Sequence, residues 1–429
     1  MMRSIRSSLA LTVVVLLLTA CGGGTNTGAA TAAPVAPAAT AAPAATGAPA
    51  AAPPVSVRGI SSDKTVTVGA FMPQSGPLAS VAAAGLGIRL YFDQINAKGG
   101  VNGYKFEHKA VDDAADPTKT VTVVRQLWEQ DKVFALLLPY GSGPNTAVKQ
   151  YVLSNNIPTL FPWANSVIYF ADGAPAPANV FGFNASYLAE VKALADFASK
   201  QKSIKKIAVL HTTDEFGQSG VDGVNKAAPA LGMTVVGTVG YDATETNFAP
   251  LGQRIAASGA EATLVWAIPG AALAIAAAEQ AGYKGTWLLG DVFRGGSFLA
   301  ALVKTPNLAG RTYTIFHQKT VAQMTAGGSD FVAQLKAKYP QADPDTAIVG
   351  WTMAAMFVEG VKEATANNTP LTWERLKTAY EKWRERNIEA AVGMTFTPTS
   401  HIGAEKAQIM ILQTDNTWKT AQDFTLLPK

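Results

Sequence analysis

Residues 133–146 read VFALLLPYGSGPNT, and this stretch decides the class of fold. The uninterrupted apolar run at 133–138 is typical of a parallel β-strand that is covered on both faces. A short turn built from small residues follows, and a helix is expected to begin directly after it. A buried strand, a turn and a helix form the repeating unit of α/β proteins.

The same alternation continues on both sides of this stretch. Further strands are predicted at 66–71, 106–111, 207–210, 234–239 and 262–267. Helices are predicted around 88–95, 116–128, 186–200, 216–230, 251–257, 271–281, 330–338, 346–366 and 373–384, ahead of a β-rich tail at 394–418. Repeated βα units imply open, mostly parallel sheets with right-handed crossovers. Two such series predict an α/β fold with two lobes.

The N-terminus has the pattern of an export signal. Arg3 and Arg6 precede an apolar core at 9–18, and small residues then lead to Cys21, which is the only cysteine in the chain. Leu18-Thr19-Ala20-Cys21 resembles a bacterial lipobox, so residues 1–20 are predicted to be a lipoprotein signal peptide and Cys21 the lipidated residue. The alternative is a small buried cysteine in an ordinary signal peptide. Residues 21–63, rich in Ala, Pro and Thr, are predicted to be a tether because prolines and small residues oppose folding.

Composition argues against several classes of function. The formal net charge is only +4, without the clustered basic face that nucleic-acid binding requires. His108, His211, His317 and His401 lie far apart, with no spacing that indicates a metal site or a catalytic triad. Neither a P-loop nor a convincing dinucleotide-binding motif is present, so no cofactor, no metal and no enzymatic activity are predicted.

Ligand binding has better support. In open α/β sheets, ligands lie beyond the carboxyl ends of the strands. Tyr140, Gly141 and Ser142 follow one strand and precede a helix, where free N–H groups and a hydroxyl suit a carboxylate. A plain turn with a helix cap explains the same residues. Equivalent positions after other strands are Trp163, Ala164, Asn165, Phe216, Trp266, Ile268 and Asp291, each of which packing alone could also explain.

Residues 66–77 (VTVGAFMPQSGP) and 93–103 (DQINAKGGVNG) resemble the leucine/isoleucine/valine-binding protein family, the type I periplasmic substrate-binding proteins of ABC importers. Residues 214–220 (DEFGQSG) extend the resemblance. It implies two Rossmann-like lobes that are joined by three hinge strands and close on a small ligand. The implied N-terminal lobe comprises 64–184 and 318–386, and the C-terminal lobe comprises 185–317 and 387–429.

The resemblance also implies roles for the candidate residues. Ser142 and the loop Trp163-Ala164-Asn165 would hold the α-carboxylate of an amino acid, with Asn165 standing where threonine is usual. Asp291 would take the α-ammonium group. The other implied pocket residues are Phe216, Trp266, Ile268 and, near a hinge, Phe316 or His317. A branched-chain or other apolar amino acid is the first candidate ligand. Because Ile268-Pro269 replaces a common tyrosine and Trp163 is bulky, an aromatic or aliphatic carboxylate, an amide or another small metabolite is the alternative.

The implied function is solute capture for an ABC permease by a lipid-anchored protein. The protein is expected at the cell envelope, on the outer face of the cytoplasmic membrane or in the periplasm, as a monomer. Alternatives are a ligand-sensing receptor of the same fold and an exported hydrolase. A transcriptional regulator is disfavoured, because a signal and a tether occupy the place of the N-terminal DNA-binding domain.

Overall fold

A computed structural model describes residues 57–170 and 175–428. The predicted signal peptide, the predicted lipidation site Cys21 and the tether up to residue 56 lie outside the described residues. Within the described part, no helix has the length and apolar character needed to cross a membrane.

The first sheet is entirely parallel and contains the strand that opened the sequence analysis. Its strands are β1 (Thr65–Phe71), β2 (Lys105–Val111), β3 (Ala135–Leu137), β4 (Thr159–Leu160) and β5 (Val180–Phe181), in the order β2-β1-β3-β4-β5. Every residue of β3 is buried, as its unbroken apolar pattern predicts. The strand is the central member of the sheet, so its carboxyl end points to the middle of one edge.

Helices cover this sheet and complete its core. They are α1 (Ala82–Ala97), α2 (Pro117–Arg125) and α3 (Ser142–Ser154), with α9 (Val321–Ala326), α10 (Phe331–Lys338), α11 (Pro344–Ala364) and α12 (Trp373–Tyr380) from later in the chain. Asp116 caps α2 by accepting a hydrogen bond from the Thr118 amide, as predicted. Phe357 of α11 packs against Phe92 and Phe106, so this late helix belongs to the core of the first sheet.

The second sheet has seven strands in the order β14-β13-β10-β9-β8-β6-β7. The parallel strands are β6 (Lys206–Thr212), β7 (Thr234–Tyr241), β8 (Ala262–Trp266), β9 (Thr286–Leu289) and β10 (Thr312–Phe316). At one edge, β13 (Lys406–Leu412) and β14 (Trp418–Leu426) add antiparallel strands. The associated helices are α4 (Tyr187–Lys202), α5 (Glu215–Ala227), α6 (Ala249–Ala257), α7 (Ala271–Gln280) and α8 (Gly296–Leu302).

The structure confirms the predicted α/β fold with parallel sheets. Most predicted elements agree to within a few residues, while the helix predicted at 373–384 ends at Tyr380. The predicted β-rich tail at 394–418 contains β13 and ends where β14 begins; before it, β12 (Ala391–Met394) pairs with β11 (Arg386–Ile388) apart from the two large sheets. The lobe boundaries stay a prediction; Met394 and Phe396 pack in the core of the first sheet, although the prediction gave residues 387–429 to the second lobe.

Candidate functional site

A cleft with two adjoining cavities lies where the carboxyl ends of the strands in both sheets meet. The cavity at the start of α3, here called the helix chamber, has a volume of about 340 Å³. The second cavity, here called the side chamber, has a volume of about 330 Å³ and lies beside α7 and α8. Volumes in this range are typical of sites for small organic ligands.

The first turn of α3 gives the helix chamber a wall with hydrogen-bond donors. Gly141 precedes the helix with φ of 94°, a backbone conformation that favours glycine, and no side chain caps the helix. The amides of Ser142 and Gly143 occupy the first helical positions, where no intrahelical acceptor exists. The Ser142 hydroxyl oxygen accepts a hydrogen bond from the Asn165 amide at 3.3 Å. These donors, at the positive end of the helix dipole, suit an anionic group.

Aromatic side chains form two parts of the remaining wall. Tyr140 and Trp163 meet edge to face, with ring centroids 5.4 Å apart, and a backbone hydrogen bond from Gly141 to Trp163 fixes the two loops together. Tyr187 and Phe216 meet in the same way from the other side, at 5.5 Å. Burial raises the pKa of Tyr140 and of Tyr187 well above the ordinary value, so both phenols are neutral. The chamber therefore combines the free amides of a helix start with a largely apolar lining.

The wall contributed by α5 differs because its helix start is already capped. Asp214 Oδ1 accepts hydrogen bonds from the Gly217 amide at 2.9 Å and from the Thr212 hydroxyl at 2.8 Å. The neighbouring Glu215 accepts a hydrogen bond from the Thr146 hydroxyl of α3 at 2.6 Å. The last bond joins the two helices across the cleft.

Four charged or titratable side chains form a buried network behind the second-sheet side of the cleft. Glu190 and His317 are in contact at 2.9 Å and both are fully buried. Asp291 pairs with Arg294, and its backbone amide donates to Glu190. Burial raises the pKa of Glu190, whereas the Glu190 carboxylate raises the pKa of His317 against the opposing effect of burial. Both carboxylates thus have a basic partner inside the protein, while Arg294 Nε and His317 Nδ1 are buried without a hydrogen-bond partner.

The structure brings six of the predicted site residues to the helix chamber. They are Tyr140, Gly141, Ser142, Trp163, Phe216 and Ile268. The other five predicted residues line neither chamber: Ala164, Asn165, Trp266, Asp291 and Phe316.

Ala164 packs in a buried core cluster, and the other four side chains have partners within the protein. The Asn165 side chain accepts from the Val167 and Tyr187 amides and so fixes a turn. Trp266 is fully buried and stacks against Phe216 with centroids 5.9 Å apart. Phe316 lies under the Arg294 guanidinium, which also pairs with Asp291. Asp291 thus has a cationic partner within the protein.

Several lining residues were missed at the sequence level. Pro77 and Leu78 follow β1, so the rule that ligands lie beyond strand ends would have found them had it been applied to that strand. Tyr187 is the first residue of α4, and Pro269 and Val292 each lie one residue beyond a predicted position. Among the described residues, no group of three or more His, Cys, Asp or Glu side chains could hold a metal ion.

A family model described as periplasmic binding protein matches residues 65–417. The chain belongs to this family. The resemblance to leucine/isoleucine/valine-binding proteins is confirmed as well: Leu/Ile/Val-binding protein homolog 3 of Brucella melitensis is 24% identical over 347 residues, covering 80% of this chain and 90% of that protein. An amino acid binding protein of Pseudomonas aeruginosa is 28% identical over 209 residues, which are 48% of this chain and only 55% of that relative.

Solved structures of periplasmic binding proteins share the fold. A fatty acid ABC transporter substrate-binding protein from Thermomonospora curvata has a TM-score of 0.72 at 21% identity, covering 86% of this chain and 94% of that one. A branched chain amino acid ABC transporter protein from Thermus thermophilus, with bound valine, has a TM-score of 0.72 at 20% identity, covering 85% and 97%.

Proposed function

We propose that the protein is an extracytoplasmic solute-binding protein that captures a small carboxylate-bearing ligand in the cleft and delivers it to an ABC permease. The observation that carries this proposal is the uncapped start of α3, with Ser142, facing a cavity of about 340 Å³. Aromatic walls next to a group of donors are suited to an apolar ligand with an anionic end.

The ligand class follows from which charges the cleft leaves available. A carboxylate fits the amides of Ser142 and Gly143, whereas the ammonium group of an amino acid needs an anionic partner. Asp291 is paired with Arg294, and Asp214, which lines the helix chamber, caps α5. An aromatic or aliphatic carboxylate is therefore favoured over an amino acid. The valine and the fatty acid named for two relatives with this fold are consistent with either class.

The place of the protein in the cell rests on the N-terminal sequence. A lipid on Cys21 would hold the protein on the outer face of the cytoplasmic membrane, and the stretch after it would space the folded part from the lipid. Mass spectrometry of Cys21 after expression in a bacterium, compared with a Cys21→Ala variant, tests the anchor. Release of the variant from the membrane fraction is the expected result, and an unmodified Cys21 would contradict it.

Isothermal titration calorimetry tests the binding site. Straight-chain carboxylic acids, aromatic carboxylic acids and amino acids are titrated into the wild-type protein. The ligand that binds most tightly is then titrated into the Ser142→Ala and Ser154→Ala variants. Ser154 lies at the far end of α3 and so is a matched control. Loss of one hydrogen bond to a charged group, about 1.5–3 kcal/mol, predicts at least a tenfold loss of affinity for Ser142→Ala alone. Equal affinity in both variants would place the anionic group elsewhere.

A further inference from the structure

The two chambers of the cleft share part of their lining. Tyr140 and Trp163 from the first lobe line both cavities, and so do Ile268, Pro269 and Val292 from the second. A ligand bound in the helix chamber therefore borders the side chamber along the same aromatic and aliphatic side chains.

The side chamber is predominantly apolar. Leu273, Phe293, Phe298 and Ala301 line it, and Leu273 is 60% exposed to solvent. A large aliphatic side chain that is exposed at a cavity rim gains free energy when an apolar group covers it. The side chamber thus suits hydrocarbon.

The side chamber has few charged or strongly polar groups. Arg294 is the only charged residue among the described residues that line it; its guanidinium pairs with Asp291 and covers the Phe316 ring, and its Nε is buried without a hydrogen-bond partner. The Thr346 hydroxyl donates to Asp343 at 2.6 Å. The helix chamber, in contrast, offers the amides at the α3 start. A run of adjacent helix amides therefore lies at the helix-chamber end of the cleft, and the side chamber is mostly apolar.

We propose that the ligand is an elongated monocarboxylic acid that occupies both chambers. Its carboxylate lies at the start of α3, and its hydrocarbon chain runs past Tyr140 and Trp163 into the side chamber. This inference rests on the proposed function, since it takes the α3 start as the site of the anionic group. It adds that chain length, beyond what the helix chamber holds, determines affinity.

Calorimetry with a series of straight-chain saturated monocarboxylates of increasing length tests this proposal. Each methylene that becomes buried should strengthen binding about threefold to fourfold, since burial of one is worth ~0.8 kcal/mol. The affinity should go on rising after the helix chamber is full. Ala301→Phe fills the side chamber, and Ala300→Phe places the same ring at the adjacent exposed position of α8, which lines neither chamber.

The two variants separate the possible outcomes. The proposal requires that Ala301→Phe weakens the long acids at least tenfold and leaves the short acids unchanged, while Ala300→Phe changes neither. A plateau of affinity at short chain length, or equal behaviour of the two variants, overturns it. If short acids still bind through Ser142 in that case, the proposed function stands and only the elongated ligand is refuted. If no acid of any length binds, the proposed function fails as well.

Discussion

Two helices begin at the cleft, and their first turns are built in opposite ways. α3 starts after Gly141, without a side-chain cap, so its first amides face the helix chamber. α5 starts after Asp214, whose carboxylate accepts from the Gly217 amide at 2.9 Å. Both helices follow a strand. The amides of the first turn are free to bind an anion in the first lobe, whereas in the second lobe a side-chain cap already accepts a hydrogen bond from them.

The charged groups of the two sides follow the same division. On the second-sheet side, Glu190 pairs with His317 and Asp291 with Arg294, all buried. On the first-sheet side, the α3 start carries unsatisfied donors and no charged partner. The comparison shows that the free helix-start amides of the cleft come from the first lobe, the buried charge pairs lie on the second-sheet side, and both lobes contribute aromatic side chains.

Removing a charge from the buried network should have the largest effect on stability. Glu190→Ala leaves His317 buried without its partner, and breaking a buried ion pair in this way costs about 3–5 kcal/mol. Urea unfolding measures the loss. Glu190→Gln retains a hydrogen-bonding side chain and should lose less. If Glu190→Ala and the wild type unfold at the same urea concentration, the stability of the second-lobe side does not depend on internal charge pairing.

The same pair makes stability depend on pH. Glu190 and His317 both have raised pKa values in the folded protein, with Asp291 and Arg294 as the other charged neighbours. A group with a raised folded pKa stabilises fully below its unfolded pKa, about 6.5 for histidine, and the contribution is lost as the pH rises through the folded value. The contribution of Glu190 should therefore be lost as the pH rises above about 4.5, and that of His317 above about 6.5. Glu190→Gln should not show this loss; an identical pH profile would contradict the assignment.

On the first-lobe side, Gly141→Ala should have the next largest effect on the stability of the protein. An alanine at φ of 94° is strained, and its Cβ would lie 3.0 Å from Pro144 Cγ. Strain of this kind costs about 1–3 kcal/mol of unfolding free energy. Gly143→Ala is the matched control, because its Cβ would meet Pro117 at an ordinary 3.4 Å. Urea unfolding of both variants is the measurement, and equal stability would show that the turn does not require glycine.

Asp214→Ala tests the opposite wall. Loss of the cap should lower the unfolding free energy by about 1 kcal/mol, since the Gly217 amide loses its acceptor. The added prediction is that α5 then gains an uncapped start facing the helix chamber, so carboxylate affinity should not fall. Thermal unfolding and calorimetry together check this. A tenfold loss of carboxylate affinity would mean that Asp214 itself contacts the ligand.

The fold could be predicted from the sequence because its signals are local. The apolar run at 133–138 and the Asp116-Pro117 cap each indicate an element without reference to distant residues. The turn at Tyr140–Ser142 was predictable for the same reason. The partner of Asp291 was not, because a carboxylate after a strand has the same pattern whether it faces a ligand or pairs with Arg294 in a 3-10 turn. Trp266 likewise lies at a strand end but turns into the core.

The smallest expected effect concerns the hydrogen bond that joins the two compared helices. The Thr146 hydroxyl of α3 donates to Glu215 of α5 at 2.6 Å, and both residues are partly open to solvent. Exposed contacts of this kind contribute about 0.2–1 kcal/mol, so Thr146→Val should weaken ligand binding only severalfold if the bond forms on closure. The ligand affinities of Thr146→Val, Glu215→Gln and the double variant, measured by calorimetry, form a double-mutant cycle with the wild type. If the two single effects add fully, the bond contributes nothing to binding, and the two helices act on the ligand independently.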